Sequence, residues 1–196
     1  MTAPLRVLIV EDSRDDEALI LRELRRGGYE PRAERVETAA ATTAALGREA
    51  WDLIISDNNL PSFTAAAALR LLHGTGLDVP LIVVSGSIGE DAAVALMKDG
   101  ANDYVFKGNL ARLPVAVERE LREAVGRRAR RQADLELRAQ REFLRTVIDT
   151  NPNLIFVKDW DGRFTLANRA VAEAYGTTPE QLLGRQERRR LQPQPD

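Results

Sequence analysis

The chain has 196 residues, a formal net charge of −2, 44% apolar residues and 30% charged residues, a composition typical of a protein that buries a core. The charge excludes a global basic field that would attract nucleic acid or a membrane, and the absence of cysteine excludes disulfides and thiolate chemistry. No apolar run approaches the roughly 20 residues of a membrane span and no signal peptide is visible, so we expect a cytoplasmic protein.

The amino-terminal part of the chain alternates short apolar runs with amphipathic stretches. The runs predict strands at 5–10, 32–36, 52–57, 80–85 and 102–106. The stretches between them predict helices over 14–26, 39–48, 64–73 and 89–99, and in the first we expect Ala18, Leu19, Leu21 and Leu24 to face the core. Consecutive apolar positions are typical of strands buried on both faces. The fold class is therefore α/β, a doubly wound five-stranded parallel sheet.

Polar side chains follow four of these strands at the points where they end. They are Asp12 beside Glu11, Asp57, Ser85 and Lys107. In an open parallel sheet the carboxyl ends of the strands form the functional crevice, so these groups should converge on a divalent cation and a phosphoryl group. Acids after strands also cap the helices that follow, and for Asp12 or Asp57 alone that interpretation is equally good. The four groups together favour a site.

The chemistry of such a site follows from its residue types. Hard carboxylate oxygens suit Mg²⁺, which would reduce repulsion between the acids and an incoming phosphoryl group. Asp57 could then attack phosphorus and form an acyl phosphate. Lys107 and Ser85 would hold the phosphoryl oxygens by charge and by hydrogen bond.

Four stretches of this region, at 7–13, 56–61, 83–86 and 100–107, form a specific set of motifs. Through them residues 5–112 resemble the receiver domain of bacterial two-component response regulators. The resemblance implies a flavodoxin-like strand order 2-1-3-4-5 and a phosphoryl group donated by a sensor histidine kinase. It also implies no enzymatic activity beyond self-dephosphorylation.

The resemblance also implies a role for each matching residue. Asp57 matches the phospho-acceptor, Glu11 and Asp12 the acidic metal pair, Asn59 the residue whose carbonyl binds Mg²⁺, Ser85 the switch hydroxyl, Tyr104 the switch aromatic and Lys107 the phosphate-binding lysine. Two departures stand out. Gly108 replaces the usual proline, which puts the usual cis peptide in doubt because cis bonds are costly without proline. The run at 64–66 replaces a glycine, so we expect that loop to differ.

From residue 113 to residue 149 the pattern predicts one long helix, or two joined near Gly126. Apolar residues recur at four-residue steps, which are Leu113, Val117, Leu121, Val125 and then Leu135, Ala139, Phe143, Val147. We expect a homodimer through this helix, because it is too long to be covered by the receiver. Nine arginines and seven acids alternate along it, so we expect no nucleic-acid binding by the arginine cluster at 127–131.

Strand signals return after residue 152, with a hairpin turn at Asp161 and Gly162. Residues 142–185 resemble the first half of a PAS sensor domain, which implies a truncated PAS segment without a full ligand pocket. The expected organisation is a receiver at 1–112, a linker and dimerisation helix at 113–149, the PAS segment at 150–185 and a disordered tail at 186–196.

The leading hypothesis is a phosphorylation-dependent signalling module that acts through the helix on a PAS-containing output region. One alternative is a phosphohydrolase of the haloacid dehalogenase type, whose nucleophile belongs to an Asp-x-Asp motif after the first strand. Here that strand is followed by Glu11, Asp12 and Ser13, which do not match. A non-catalytic dimerisation adaptor remains open for residues 113–196. The single histidine, His73, at the end of a predicted helix, is expected to be an ordinary surface residue and not a phospho-donor.

Overall fold

The computed structural model describes residues 2–61, 63–86 and 90–186. The chain divides into two compact units, with the division between Arg130 and Arg131. In the part of the chain so described, no helix is long and apolar enough to cross a membrane. No cis peptide bond occurs among these residues, so the Lys107–Gly108 bond is trans.

The first unit contains a five-stranded parallel sheet in the order β2-β1-β3-β4-β5, which confirms the predicted fold class. The strands are β1 (Ala3–Val10), β2 (Tyr29–Val36), β3 (Leu53–Asp57), β4 (Leu81–Ser85) and β5 (Asp103–Phe106). The helices that connect them are α1 (Arg14–Arg26), α2 (Ala39–Arg48), α3 (Ala65–Thr75) and α4 (Glu90–Lys98). A 3-10 segment, Lys107–Arg112, leads into α5 (Leu113–Thr150). The long helix is therefore continuous through Gly126.

The sheet is covered on both faces, as its consecutive apolar positions predict. One face packs against α2, α3 and α4 through residues such as Leu46, Leu69 and Leu96. The other packs against α1 and the first two turns of α5, where Leu113 and Val117 are completely buried. The start of α5 therefore belongs to the core of the first unit.

The ends of the helices follow from local chemistry. Ser13, Thr38 and Thr64 each accept a hydrogen bond from a backbone N–H in the first turn of α1, α2 and α3. The run at 64–66 that replaces the family's glycine thus begins a capped helix. At the other end of α1, a Cβ on Gly27 would lie 2.5 Å from the Cβ of Pro114, so the close approach of α1 and α5 requires glycine there.

The predicted inward face of α1 was partly wrong. Ala18 and Leu19 are exposed, whereas Ile20, Glu23 and Leu24 are buried. The run at 18–21 is apolar throughout, so the sequence does not show which part of it faces the sheet. Glu23 keeps its charge partners, because Arg26 donates to its carboxylate at 3.2 Å.

The second unit contains a short antiparallel hairpin, β6 (Phe156–Lys158) and β7 (Phe164–Ala167), which confirms the predicted pairing. Gly162 in the turn has φ 76°, a conformation that favours glycine. Two short helices follow, α6 (Arg169–Ala174) and α7 (Pro179–Leu182). Buried Asn168 caps α6, and its amide nitrogen donates to the carbonyls of residues 148, 151 and 153. The expected disordered tail at 186–196 lies outside the described residues beyond Gln186.

Candidate functional site

The strand register brings the predicted side chains to one edge of the sheet. Val10 pairs with Ser56, so the residues that follow them, Glu11 and Asp57, leave the sheet at the same level. Carboxylate oxygens of Glu11, Asp12 and Asp57 lie within 4.8 Å of one another. Three hard oxygen ligands at this spacing fit a small divalent cation such as Mg²⁺.

Lys107 is the charge partner of this cluster. Its Nζ lies 2.8 Å from Glu11 Oε2, 2.9 Å from Asp57 Oδ2 and 2.5 Å from Asp16 Oδ2. Burial lowers the pKa of Lys107, but the hydrogen bonds to Asp16, Glu11 and Asp57 outweigh it and hold the pKa above that of an ordinary lysine. The ammonium group is therefore charged at all physiological pH values.

Glu11 is the most deeply buried acid of the cluster, with 1% of its surface exposed. Burial raises its pKa above the usual glutamate value, and the hydrogen bonds from Lys107 and from the backbone N–H of Ser13 oppose that rise. The Ser13 N–H donates to Glu11 Oε1 at 3.0 Å while the Ser13 hydroxyl caps α1. Ser13 thus both caps α1 and positions the Glu11 carboxylate.

Asp57 is held from two sides at the end of β3. Its Oδ1 accepts from the backbone N–H of Asn58 at 2.6 Å, and its Oδ2 accepts from Lys107. The Asn59 N–H also points at Oδ1, at 3.4 Å, and Asn59 forms a backbone bridge with Thr64. Asn59 is therefore held next to the acidic cluster by contacts with Asp57 and Thr64.

Ser85 ends β4 and Tyr104 lies in β5, the two strands beyond β3 in the sheet. Ser85 is buried at the end of β4, and it pairs in register with Phe106, the residue before Lys107. Tyr104 is half-buried and packs against the core on the α2–α4 face of the sheet. Burial raises the pKa of Tyr104, and the negative charge of Asp57 raises it further. The pKa of the phenol therefore depends in part on the charge of Asp57.

Two residues at this edge were missed by the sequence analysis. Asp16, in the first turn of α1, makes the shortest contact to Lys107, and its only signal was an acidic first turn that also suits the helix dipole. Arg35, near the end of β2, donates to the backbone of Glu11 and Asp12. His73 lies exposed near the end of α3, against Gly100.

Comparison with known proteins identifies both parts of the chain. The model of the response regulator receiver domain matches residues 7–118, and that of the PAS domain matches residues 142–196. The response regulator protein FleR of Pseudomonas aeruginosa is 35% identical over 102 residues, which are 52% of this chain and 21% of that protein. The transcriptional regulatory protein PrrA of Mycobacterium tuberculosis is 36% identical over 107 residues, 55% of this chain and 45% of that protein. The chain thus spans less than half the length of these relatives.

Solved structures of receiver domains are also similar to the first unit. A signal receiver domain from Vibrio parahaemolyticus superposes with a TM-score of 0.58 at 28% identity, covering 64% of this chain and 96% of that one. The receiver domain of a sensor histidine kinase from Pseudomonas aeruginosa gives a TM-score of 0.52 at 25% identity, covering 61% of this chain and 98% of that one. That structure has a magnesium ion coordinated in its active-site cleft.

Proposed function

This chain belongs to the family of response regulator receiver domains, and on that premise we propose that it accepts a phosphoryl group on Asp57 from a partner histidine kinase. The observation that carries the proposal is the position of Asp57. Its carboxylate lies at the end of β3, bonded to Lys107 and within 4.8 Å of the carboxylate oxygens of Glu11 and Asp12. An acyl phosphate is chemistry that such a group can perform.

In the proposed transfer, an Asp57 carboxylate oxygen forms a bond to phosphorus as the bond from phosphorus to the donor's imidazole nitrogen breaks. The imidazole leaves with the electron pair and takes a proton. Lys107 and Ser85 stabilise the phosphoryl oxygens, the first by charge and the second by hydrogen bond. Before phosphorylation the ammonium group of Lys107 is paired with Glu11 and Asp16. These carboxylates and the phosphoryl group therefore compete for the same ammonium group.

We propose that Mg²⁺ binds through Glu11, Asp12, Asp57 and the backbone carbonyl of Asn59. Oxygen donors with room for several waters suit this ion better than softer metals. When bound, it neutralises charge between the acids and the incoming phosphoryl group. The carboxylate spacing supports the proposal, as does the magnesium ion in the related receiver domain.

Asp12→Ala should weaken Mg²⁺ binding by about tenfold, because a ligand is lost that is worth roughly 1.4 kcal/mol or more. Asp12 is exposed, so the substitution should leave the fold intact. Titration calorimetry measures the effect. Fluorescence of Trp51 is less suitable, because Trp51 precedes β3 at the end opposite to Asp57. Asp15→Ala, which removes an exposed acid from the first turn of α1, is the control, and equal affinities in the two variants would contradict the site.

We further propose that phosphorylation is read through Ser85 and Tyr104. Tyr104 packs on the sheet face that α4 covers, and its neighbour in sequence, Val105, packs on the face that carries the start of α5. A shift of the phenol would thus alter the surface made by α4, β5 and the beginning of α5. In this proposal α5 carries the signal from the receiver, at 1–112, through the linker helix, at 113–149, toward the PAS segment at 150–185.

We propose that Arg127 and Arg128, in the middle of α5, anchor the helix and do not bind nucleic acid. Arg127 donates to the carboxylate of Asp78 at 2.9 Å, and Arg128 donates to the backbone carbonyl of the same residue at 2.7 Å. A phosphohydrolase of the haloacid dehalogenase type is disfavoured because Glu11, Asp12 and Ser13, which follow β1, do not form its Asp-x-Asp motif. We therefore propose no activity beyond self-dephosphorylation.

We propose that the chain forms a homodimer through α5. Leu113 and Val117 are buried in the first unit, but Val125, Leu135, Phe143 and Val147 are between 50% and 67% exposed. A repeated apolar stripe on one long helix is the usual surface for a second copy. A two-fold axis would bring each stripe onto its equivalent.

Light scattering after size exclusion should show a dimer at tens of micromolar, and Phe143→Asp should shift it to monomer because the charge would be buried at the interface. Trp160→Asp, which changes a fully exposed aromatic outside α5, is the control. A chain ending at Arg130 keeps the buried start of α5 and should be monomeric. A dimeric truncated chain would place the interface on the receiver instead.

A further inference from the structure

Arg35 lies near the end of β2, the edge strand that contributes none of the expected site residues. Its Nη1 donates to the backbone carbonyl oxygen of Glu11 at 2.9 Å and to that of Asp12 at 3.0 Å. Only 16% of its side chain is exposed. The guanidinium group therefore contacts the main chain of the two acids that follow β1, and not their carboxylates.

Two carboxylates hold the guanidinium in this position. Nε pairs with Glu17 Oε2 of α1 at 3.1 Å, and Nη1 pairs with Glu37 Oε1 in the β2–α2 loop at 2.5 Å. Because a guanidinium stays charged at every accessible pH and presents its donors in a fixed plane, the orientation of Arg35 is determined by its partners. Arg35 thus joins the β1–α1 loop to two neighbouring elements.

The acids that this loop presents repel each other and Asp57, since their oxygens lie within 4.8 Å. A loop without restraint would relax by moving Asp12, the exposed member, away from the cluster. Hydrogen bonds from Arg35 to both backbone carbonyls oppose that movement. The restraint acts on the position of the carboxylates without touching them.

We propose that Arg35 is a positioning residue that holds the Glu11–Asp12 loop at the spacing of a small divalent cation and so favours Mg²⁺ over Ca²⁺. The inference rests on the proposed function. Mg²⁺ requires near-octahedral geometry with oxygens at about 2.0–2.1 Å, whereas Ca²⁺ accepts six to eight oxygens at about 2.3–2.6 Å. Loosening the loop therefore costs the smaller ion more affinity than the larger one.

The test measures the affinities of the full chain for Mg²⁺ and Ca²⁺ by titration calorimetry. Arg35→Ala should weaken Mg²⁺ binding by about tenfold, the usual effect of losing a group that orients a ligand, and Ca²⁺ binding by much less. Arg35→Lys keeps the charge, but its single nitrogen cannot donate to the two carbonyls and also replace the Nε that pairs with Glu17. Its affinity ratio should therefore lie between those of Arg35→Ala and the unmodified chain. Arg32→Ala removes the same charge from an exposed position on the same strand and should leave the ratio unchanged.

The outcomes separate the inference from its premise. If the unmodified chain binds no Mg²⁺, both the proposed function and the role of Arg35 fall. If it binds Mg²⁺ but Arg35→Ala weakens both ions equally, the role of Arg35 alone is overturned. Full restoration by lysine would show that Arg35 acts by charge and not by geometry, which also overturns the proposal. Should Arg35→Ala not fold in a urea titration, the lysine variant decides, because a ratio equal to that of the unmodified chain contradicts the inference.

Discussion

Asp57→Asn should take up no phosphoryl group from acetyl phosphate and Mg²⁺, seen as the absence of the mass increase that the unmodified chain shows. The amide is not a nucleophile toward phosphorus, and no other carboxylate of the cluster shares the position of Asp57. Asp12 is exposed, and Glu11 is buried and bonded to Lys107 and to the Ser13 N–H. Binding of beryllofluoride should be lost in the same variant.

The control for this prediction is Asp99→Asn, which changes an exposed acid just beyond α4. The Asp57→Asn chain should itself fold well, because removing one of three clustered charges relieves repulsion and an amide oxygen can still accept from Lys107. Thermal unfolding separates a loss of fold from a loss of chemistry. Undiminished labelling of a folded Asp57→Asn variant would refute the assignment.

The sheet and the convergence of the acids could be predicted because both depend on local sequence. Consecutive apolar residues in β3 and β4 indicated strands buried on both faces, and all residues of β4 are buried. The end of each strand then placed its polar residue at one edge. The carboxylates of Glu11, Asp12 and Asp57 and the ammonium of Lys107 meet there as the pattern predicted.

The features that escaped prediction depend on contacts between distant parts of the chain. Asp16 binds Lys107 across 91 positions, and Arg35 reaches back over more than 20 to the β1–α1 loop. In the sequence each looks like a charge on a solvated surface. The burial of the start of α5 was not predicted for the same reason. The apolar residues Leu113 and Val117 could pack equally well against a sheet or against a second helix, and in the structure they pack in the core of the first unit.

Lys107→Ala should have the largest effect on stability, lowering the free energy of unfolding in the absence of metal by roughly 3 kcal/mol. The substitution leaves Glu11 and Asp57 without their shared cation, and Glu11 is almost completely buried. Urea titration measures the loss. Lys98→Ala, at an exposed position near the end of α4, is the matched control and should stay within about 0.5 kcal/mol of the unmodified chain.

The pH dependence of this loss has a definite sign. Burial already raises the pKa of Glu11, and the variant lacks the opposing effect of Lys107. An acid whose pKa is higher in the folded chain than in the unfolded chain contributes stability that is present at low pH and lost as pH rises through the folded pKa. The deficit of Lys107→Ala should therefore be largest near neutral pH and should shrink as pH falls toward about 4.3, the ordinary glutamate value.

Mg²⁺ provides the second measurement on the same variant. Without the ammonium group the acidic cluster is more negative, so Mg²⁺ should bind Lys107→Ala more tightly and raise its unfolding temperature by more than it raises that of the unmodified chain. Phosphoryl transfer from acetyl phosphate should nevertheless fall, because Lys107 no longer stabilises the phosphoryl oxygens. Tighter Mg²⁺ binding together with slower phosphorylation in Lys107→Ala would separate metal binding from stabilisation of the phosphoryl group. Asp12→Ala, by contrast, should weaken Mg²⁺ binding. A Lys107→Ala chain that is as stable as Lys98→Ala at neutral pH would show that the ion pairs of Lys107 do not offset the burial of Glu11.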